Sequence, residues 1–295
     1  MKADRETIEA NLRLHVDRLA GLIGPRTLKR PKTIEATIAY VEDRWEEMGH
    51  AVRRESYDAL GDEATNLIVE KRGARRADEI ILLGAHYDTV STTPGADDNA
   101  SAVAVLLEVS RLLREHQGKR TGRYVAFACE EPPYFNLDAM GSQHHARMAR
   151  SRDEQIVGML CLEMVGYFND QPRSQQVPPG IPPCLHRLFP RRGDFLAAVG
   201  NLRSWKLAWG FRRGFKRGSW LPLFSVVLPE KIGAIRLSDN SSFWDQGYPA
   251  LMLTDTSFLR NPHYHLESDT PQTLDYQRMT EVTLGVANAM RRLLR

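Results

Sequence analysis

Long apolar runs, paired cysteines and a strong net charge are all missing from this sequence. No apolar stretch of the 295 residues approaches the roughly 18–20 residues that a bilayer-spanning helix needs, so we expect no transmembrane segment. The three cysteines form no Cys-x-x-Cys pair and cannot all pair with one another, which favours reduced thiols in a reducing compartment. With no apolar leader in the first residues, we expect a cytoplasmic protein. The net charge of +3 requires no polyanionic partner.

Positive charge is nevertheless concentrated in one window. Residues 187–217 carry nine Lys or Arg side chains and a single acid, Asp194. Its C-terminal part also contains Trp205, Trp209, Phe211 and Phe215. We interpret the cations as a solvated surface, and the aromatic residues as a packed helix face rather than a platform for stacked bases. We therefore expect neither a nucleic-acid partner nor a membrane partner.

The composition is otherwise that of an ordinary globular protein, with 42% hydrophobic and 26% charged residues. Apolar periodicity predicts two helices between residues 8 and 50, followed by short strands at 52–57 and 64–69. Continuous apolar runs then alternate with helical patterns: strands at 79–86, 123–129, 156–162 and 249–254, and helices at 100–113, 141–149 and 280–294. Such runs are typical of strands buried on both faces. We predict an α/β fold with three αβα layers and a central, mostly parallel mixed sheet.

One segment breaks this alternation. Residues 167–237 are rich in proline and then in aromatic and basic residues, and the segment is too long for a plain connection. We treat residues 1–295 as a single domain and 167–237 as an elaboration of it. The segment leaves the sheet directly after Glu163 and returns before Ser238, so its middle can form a wall. Its aromatic residues favour an apolar wall: Trp205, Trp209, Phe211, Phe215 and Trp220.

Each of the four long apolar strands is followed by acidic or histidine residues. These are His86-Tyr87-Asp88 with Asp97-Asp98, Glu130-Glu131, Glu163, and the stretch from His263 to Asp269. In open α/β sheets, ligands bind beyond the carboxyl ends of the strands, so these side chains should converge on one crevice. Carboxylates and imidazoles without thiolates suit zinc or another divalent first-row metal, and more than four such ligands favour two ions over one.

Five motifs carry a family resemblance. They are His86-Tyr87-Asp88, Gly95 to Ser101, Glu130-Glu131, Leu162 to Gly166, and His265 to Thr270. Their order, each after a predicted strand, resembles the co-catalytic di-zinc aminopeptidases of metallopeptidase family twenty-eight over roughly residues 30–290. Each motif alone is weak, whereas the five in order are specific. The resemblance implies a phosphorylase/hydrolase-like zinc exopeptidase fold that holds two divalent ions, with zinc as the expected metal.

Carried over position by position, the resemblance implies a set of metal ligands. Asp97 resembles the carboxylate that bridges both ions. His86 and Glu163 would complete the ligand set of one ion, and Glu131 and His265 would complete that of the other. Two such ions about 3.5–4 Å apart lower the pKa of a shared water and polarise the scissile carbonyl.

The same resemblance assigns roles to two further acids. Glu130 would be the general base, which accepts the proton of the water and later delivers it to the leaving amine. Asp88 would hold the second ring nitrogen of His86. In the family the peptide after the bridging aspartate is cis, which would place a cis bond between Asp97 and Asp98.

Three positions leave alternatives open. His263 and His265 compete for one role, and the spacing to Ser268-Asp269-Thr270 favours His265. Glu163 stands where aspartate is also common, and it could instead be a buried acid paired with an arginine. Ser238-Asp239-Asn240 stands where many relatives carry Ser-Asp-His, so any contribution of that histidine is missing here.

The resemblance implies a metal-dependent aminopeptidase that hydrolyses the N-terminal bond of a peptide with a free amine. A glutaminyl-cyclase-like acyltransferase on the same fold is the alternative. A di-zinc acylase or carboxypeptidase fits less well, because Asp97-Asp98-Asn99-Ala100 replaces its usual Asp-x-Lys-Gly and the chain is too short for its inserted dimerisation domain. A binding module without catalysis would have no need of Glu130. No pattern in the sequence predicts an oligomeric state.

Overall fold

Eight strands form one mixed sheet in the computed structural model, which describes residues 2–295 of the chain. The strands are β1 Arg53–Ala59, β2 Asp62–Lys71, β3 Arg76–His86, β4 Arg120–Phe127, β5 Gln155–Glu163, β6 Leu196–Asn201, β7 Leu223–Leu228 and β8 Ala250–Thr254. The α-helices are α1 Lys2–Val16, α2 Pro31–Glu47, α3 Ala102–Leu113, α4 Gly141–Ser151, α5 Trp205–Gly218, α6 Asn240–Asp245 and α7 Tyr276–Leu293. None of the helices described is both long enough and apolar enough to cross a lipid bilayer.

The order of the strands across the sheet is β1-β2-β4-β3-β5-β8-β6-β7. Four neighbours, β4, β3, β5 and β8, run parallel to one another, so their carboxyl ends meet at one edge. The pairs β1–β2, β2–β4 and β6–β8 are antiparallel, and β7 runs parallel to β6. The prediction of an α/β fold around a mostly parallel mixed sheet is confirmed.

Helices cover both faces of this sheet. Apolar residues of α1, α2, α3, α5 and α7 form one core, and those of α4 and α6 form the other. Successive residues of β3 serve opposite cores, because side chains alternate along a strand: Ile81 and Leu83 lie in the first core, and Ile80 and Leu82 in the second. Burial on both faces is why this strand reads as an unbroken apolar run.

The segment 167–237 contributes more to the sheet than the sequence predicts, because it contains β6, α5 and β7. Phe211 and Phe215 of α5 are buried, as expected of a packed helix face. Trp205 and Trp209 are instead 56% and 53% exposed, so the interpretation of these two tryptophans as packed residues is wrong. They lie on the side of α5 that is turned away from the buried phenylalanines, which a period of 3.6 residues explains.

A buried polar cluster joins β1, β2 and α4. The Oε2 atom of Glu55 lies 2.8 Å from Nδ1 of His145 and accepts a hydrogen bond from Nδ2 of Asn66 at 3.1 Å. Burial by itself raises the pKa of Glu55, but the hydrogen bond and charge of His145 outweigh it and lower the pKa from 4.5 to about 2. A carboxyl with a lowered folded-state pKa stabilises the fold above its unfolded pKa and loses that contribution as the pH falls.

We therefore predict that acid weakens the wild-type protein more than the Glu55→Gln variant. Between pH 6 and pH 3 the free energy of unfolding of the wild type should fall by about 2 kcal/mol more than that of the variant. Urea denaturation of both proteins at the two pH values measures this difference. Parallel losses in the two proteins would show that Glu55 carries no proton-linked stability.

Candidate metal centre

The candidate ligands lie at the edge where the parallel strands end. His86 is the last residue of β3 and Glu163 the last residue of β5, whereas Glu130 and Glu131 follow β4. His265 lies in the loop after β8. Because β4, β3, β5 and β8 run parallel, their carboxyl ends bring these five side chains to one crevice.

Two groups of three donor atoms share one residue, Asp98. In the first group, Nε2 of His86 lies 3.5 Å from Oδ1 of Asp98 and 3.3 Å from Oε2 of Glu163. In the second, Nε2 of His265 lies 3.1 Å from Oδ2 of Asp98 and 3.3 Å from Oε1 of Glu131. The carboxylate of Asp98 thus offers one oxygen to each group.

Asp97, which the sequence analysis assigns as the bridging ligand, belongs to neither group. Its carboxylate accepts hydrogen bonds from the backbone N–H of Gly166 at 2.9 Å and from Nδ2 of Asn261 at 2.7 Å. The prediction is therefore corrected by one residue, to Asp98. The cis peptide shows the same offset, since it joins Asp98 to Asn99 rather than Asp97 to Asp98.

A second acid fixes this turn and has no role in the sequence analysis beyond its place in a motif. The carboxylate of Asp269 accepts hydrogen bonds from the backbone N–H groups of Asp97 at 2.9 Å and Asp98 at 3.1 Å. Burial, followed by the charge of Asp97, raises the pKa of Asp269 to about 7. The two successive carboxylates point in different directions: that of Asp97 contacts Gly166 and Asn261, whereas that of Asp98 faces the crevice.

Asp88 lies beside His86, as the resemblance implies. The Oδ1 atom of Asp88 is 3.4 Å from Nδ1 of His86. Its two oxygens also accept hydrogen bonds from the backbone N–H groups of Glu130 and Glu131, each at 3.0 Å. The backbone just before them takes a left-handed turn at Cys129, where φ is 58°. Adjacent side chains on a regular strand would point to opposite faces, but this turn and the Asp88 carboxylate place both glutamates in the crevice.

The structure separates the alternatives at two positions. Glu163 accepts a hydrogen bond from Oγ of Ser238 at 2.6 Å, and no arginine among residues 4–295 pairs with it. His263 points elsewhere, with Nδ1 at 2.9 Å from Oγ of Ser268. His265 is the histidine in the crevice, and its ring stacks on that of Tyr264 with centroids 3.7 Å apart.

These donor atoms fit zinc. Tetrahedral zinc with bonds of about 2.0–2.1 Å separates its ligand atoms by about 3.3 Å, and the distances above lie at 3.1–3.5 Å. Four buried donor atoms have no hydrogen-bond partner within the described part of the chain: Nε2 of His86, Oδ1 of Asp98, Oε1 of Glu131 and Nε2 of His265. Buried polar atoms are normally satisfied, so four such atoms aimed at one crevice fit a cation-binding site.

The charges of the crevice also fit a cation-binding site. Burial, together with the nearby charges of Glu163 and Glu131, raises the pKa of Glu130 well above its usual value, although His86 opposes this. Burial and then Asp98 raise the pKa of Glu131 to about 8. Burial lowers the pKa of His265, but Asp98 and Glu131 outweigh burial and raise it to about 10. A dication between these carboxylates reverses the local balance and keeps them ionised.

An apolar cavity of about 200 Å³ opens from the metal-ligand cluster. Its floor is one face of β6, β7 and β8, with Ala197, Val199, Phe224, Val226, Leu228 and Met252. Phe189, Phe195 and Phe258 add to its walls. No lysine or arginine within the described range lines it. Segment 167–237 thus supplies a wall through β6, β7 and the residues around them. The five aromatic residues expected in this wall do not line the cavity: Trp205, Trp209, Phe211, Phe215 and Trp220.

The chain is similar to known proteins over most of its length. Residues 66–198 match the family model of peptidase family M28. The chain is 35% identical over 292 residues to the protein YfbL of Escherichia coli (strain K12), and the match covers 96% of this chain and 87% of that protein.

Two solved structures illustrate the range of the fold. The Legionella pneumophila aminopeptidase LapA has a TM-score of 0.72 at 19% identity, and the match covers 98% of this chain and 73% of that one. The glutaminyl cyclase of Fimbriiglobus ruber has a TM-score of 0.70 at 19% identity, with 96% of this chain and 94% of that one covered. At these identities the likeness shows the fold, which the chain shares with both enzymes.

Proposed function

Because the chain belongs to peptidase family M28, we propose that it is a zinc aminopeptidase, which binds two ions and removes the first residue of peptides with a free amine. The observation that carries this proposal is the carboxylate of Asp98, which offers one oxygen to each of two groups of unpartnered donor atoms. His86 and Glu163 would complete the ligand set of one ion, and Glu131 and His265 would complete that of the other. Paired zinc ions act as Lewis acids on the scissile carbonyl and make water a nucleophile at neutral pH.

Glu130 would move the proton in this reaction. It is buried in the crevice, with Oε2 at 3.8 Å from Nε2 of His86, yet it belongs to neither group of donor atoms. The backbone N–H of Glu130 donates a hydrogen bond to Asp88, which fixes the backbone at this position. The side chain can face the attacking water because it is not one of the metal ligands. We assign it the role of general base, which takes a proton from the water and returns it to the leaving amine.

The apolar cavity determines which first residue fits. A leucyl or phenylalanyl side chain would lie over Val226 and Met252, whereas a glutamyl carboxylate would lose its hydration without gaining a cationic partner. We predict that leucyl 4-nitroanilide is cleaved at least about tenfold more efficiently than the glutamyl compound. N-acetyl-leucyl 4-nitroanilide should react far more slowly, because the acidic crevice holds a free amine. Steady-state kinetics on the three compounds, with zinc analysis of the same sample, test this.

A cavity-filling variant provides the matched comparison. Val226→Phe should lower kcat/KM for the leucyl amide by about tenfold and leave that for the alanyl amide much less affected, because only the larger side chain needs the space. Preference for the glutamyl amide would contradict the apolar assignment, and equal rates on the blocked and free leucyl amides would contradict the aminopeptidase assignment.

Glutaminyl cyclase activity is the second candidate, because the match to the Fimbriiglobus ruber enzyme covers nearly the whole of both chains. The two groups of donor atoms around Asp98 and the apolar cavity favour the peptidase. Ammonia release from a peptide with N-terminal glutamine, measured beside hydrolysis of the leucyl amide, separates the two activities.

A further inference from the structure

The helix α5 presents an exposed face that the peptidase chemistry does not use. Three of the five tryptophans of the chain lie on it or directly after it: Trp205, Trp209 and Trp220, at 56%, 53% and 62% exposure. Leu202, in the turn before the helix, is 58% exposed. We propose that this surface, called here the α5 face, docks on a lipid bilayer that carries anionic headgroups.

Six cations surround these apolar side chains: Arg203, Lys206, Arg212, Arg213, Lys216 and Arg217, all exposed. At 3.6 residues per turn, the exposed positions of the helix fall within roughly 140° of its circumference, with the two helical tryptophans between cations on either side. Exposed Trp side chains are favoured at the membrane–water interface, and Lys and Arg side chains beside them attract anionic headgroups.

The cations of the α5 face have no anionic partner within residues 4–295. Arg13, Arg54 and Arg236 elsewhere on the surface all pair with carboxylates. On the α5 face two cations instead contact aromatic rings: Lys206 lies 5.6 Å from the centroid of Trp205, and Arg213 lies 4.6 Å from that of Trp209. The positive charge is therefore available to an external anion.

The helix is held as a rigid platform. A Cβ atom at Gly214 would come within 2.4 Å of Cα of Ala289, and one at Gly218 within 2.7 Å of the carbonyl oxygen of Leu284. These contacts show that α5 packs against α7 so closely that the glycines touch the backbone of α7. Phe211 and Phe215 are buried beside the glycines. Its free face therefore has a fixed orientation, and docking costs little conformational entropy.

Two other occupants fit less well. A second copy of the chain would bring two sets of six cations together with no acid between them, which is electrostatically unfavourable. A nucleic acid could neutralise the cations and stack on the tryptophans. Leu202, however, has no ring to stack on a base, whereas an aliphatic side chain next to tryptophans suits the boundary between headgroups and acyl chains. The sequence alone led us to expect no membrane contact, because it does not show that these tryptophans are exposed.

Docking through the α5 face leaves the catalytic crevice open. Trp205 and Trp209 lie with Arg120 and Val157, which are at the start of β4 and β5. The metal ligands follow the opposite ends of the same strands. A bilayer at the α5 face would therefore not cover the mouth of the crevice.

Co-sedimentation of the full chain with vesicles tests the proposal. We expect binding to vesicles of phosphatidylcholine with about 30 mol% phosphatidylserine, and little binding to phosphatidylcholine alone. Tryptophan emission should shift to shorter wavelength on binding, because Trp45 and Trp244 are buried already and the exposed three would enter the interface. The variant Arg212→Gln/Arg213→Gln/Lys216→Gln/Arg217→Gln should bind at least about a hundredfold more weakly.

A matched control has the same change in charge on another exposed surface: Arg173→Gln/Arg187→Gln/Arg191→Gln/Arg192→Gln. It should bind vesicles nearly as well as the wild type, and both variants should keep wild-type hydrolysis of a soluble leucyl amide and wild-type circular dichroism. Trp205→Gln/Trp209→Gln should reduce both the affinity and the spectral shift.

Three results would overturn the proposal. The first is no binding of the wild type to anionic vesicles at low salt, and the second is equal weakening in the α5 variant and the control. The third is binding of a single-stranded oligonucleotide without binding of vesicles, which would assign the α5 face to nucleic acid.

Discussion

Glu130→Gln is expected to remove nearly all peptidase turnover while leaving the zinc content of the protein unchanged. The glutamine keeps the size of the side chain but cannot accept a proton, and loss of a general base costs about 10²–10⁴-fold in kcat. Glu130 belongs to neither group of donor atoms, so its replacement takes no ligand from either ion. The measurement is kcat on leucyl 4-nitroanilide together with zinc analysis of the same preparation.

The neighbouring residue supplies the control. Glu131→Gln changes an equivalent carboxylate one position away, but Oε1 of Glu131 lies 3.3 Å from Nε2 of His265 in the second group. That variant should lose zinc as well as activity, because removing a ligand weakens the hold on the ion. A Glu130→Gln enzyme with a nearly wild-type rate would move the base elsewhere in the crevice. Loss of zinc in that variant would instead make Glu130 a ligand.

The sequence predicts the four central strands and the β1–β2 edge of the sheet, but it misses β6 and β7 at the other edge. The strands β3, β4, β5 and β8 are buried on both faces, so each appears as an apolar run that stands out from its surroundings. The strand β7 does not, because every residue from Leu223 to Leu228 is only partly buried. Part of its surface lines the open cavity rather than a packed core.

The site shows a similar division. That the acids and histidines after four parallel strands meet at one edge follows from topology, so most of the residues in the crevice could be named from the sequence. Which of Asp97 and Asp98 faces the crevice could not be. That choice depends on the backbone of a turn, which is fixed by hydrogen bonds from residues distant in the chain, chiefly Asp269.

Asp98→Ala is expected to remove both zinc ions, whereas Asp97→Ala is expected to keep them. Each oxygen of Asp98 belongs to a different group of donor atoms, so one substitution takes a ligand from both ions. Asp97 instead accepts hydrogen bonds from Gly166 and Asn261, and its loss leaves buried donors without a partner. That should lower the free energy of unfolding by about 1–3 kcal/mol without changing the metal stoichiometry. Zinc analysis after dialysis, with urea denaturation of each variant, measures both effects.

Asp97→Asn provides a second variant in case the alanine variant fails to fold, because the amide oxygen can still accept one of these hydrogen bonds. Two equivalents of zinc in Asp98→Ala would refute the shared carboxylate and leave the two groups of donor atoms unconnected. Loss of both ions from Asp97→Asn, with the fold intact, would return the bridge to Asp97. Urea denaturation shows whether each variant is folded, so zinc content is compared between folded proteins. A difference in zinc content between them therefore reports which carboxylate faces the crevice.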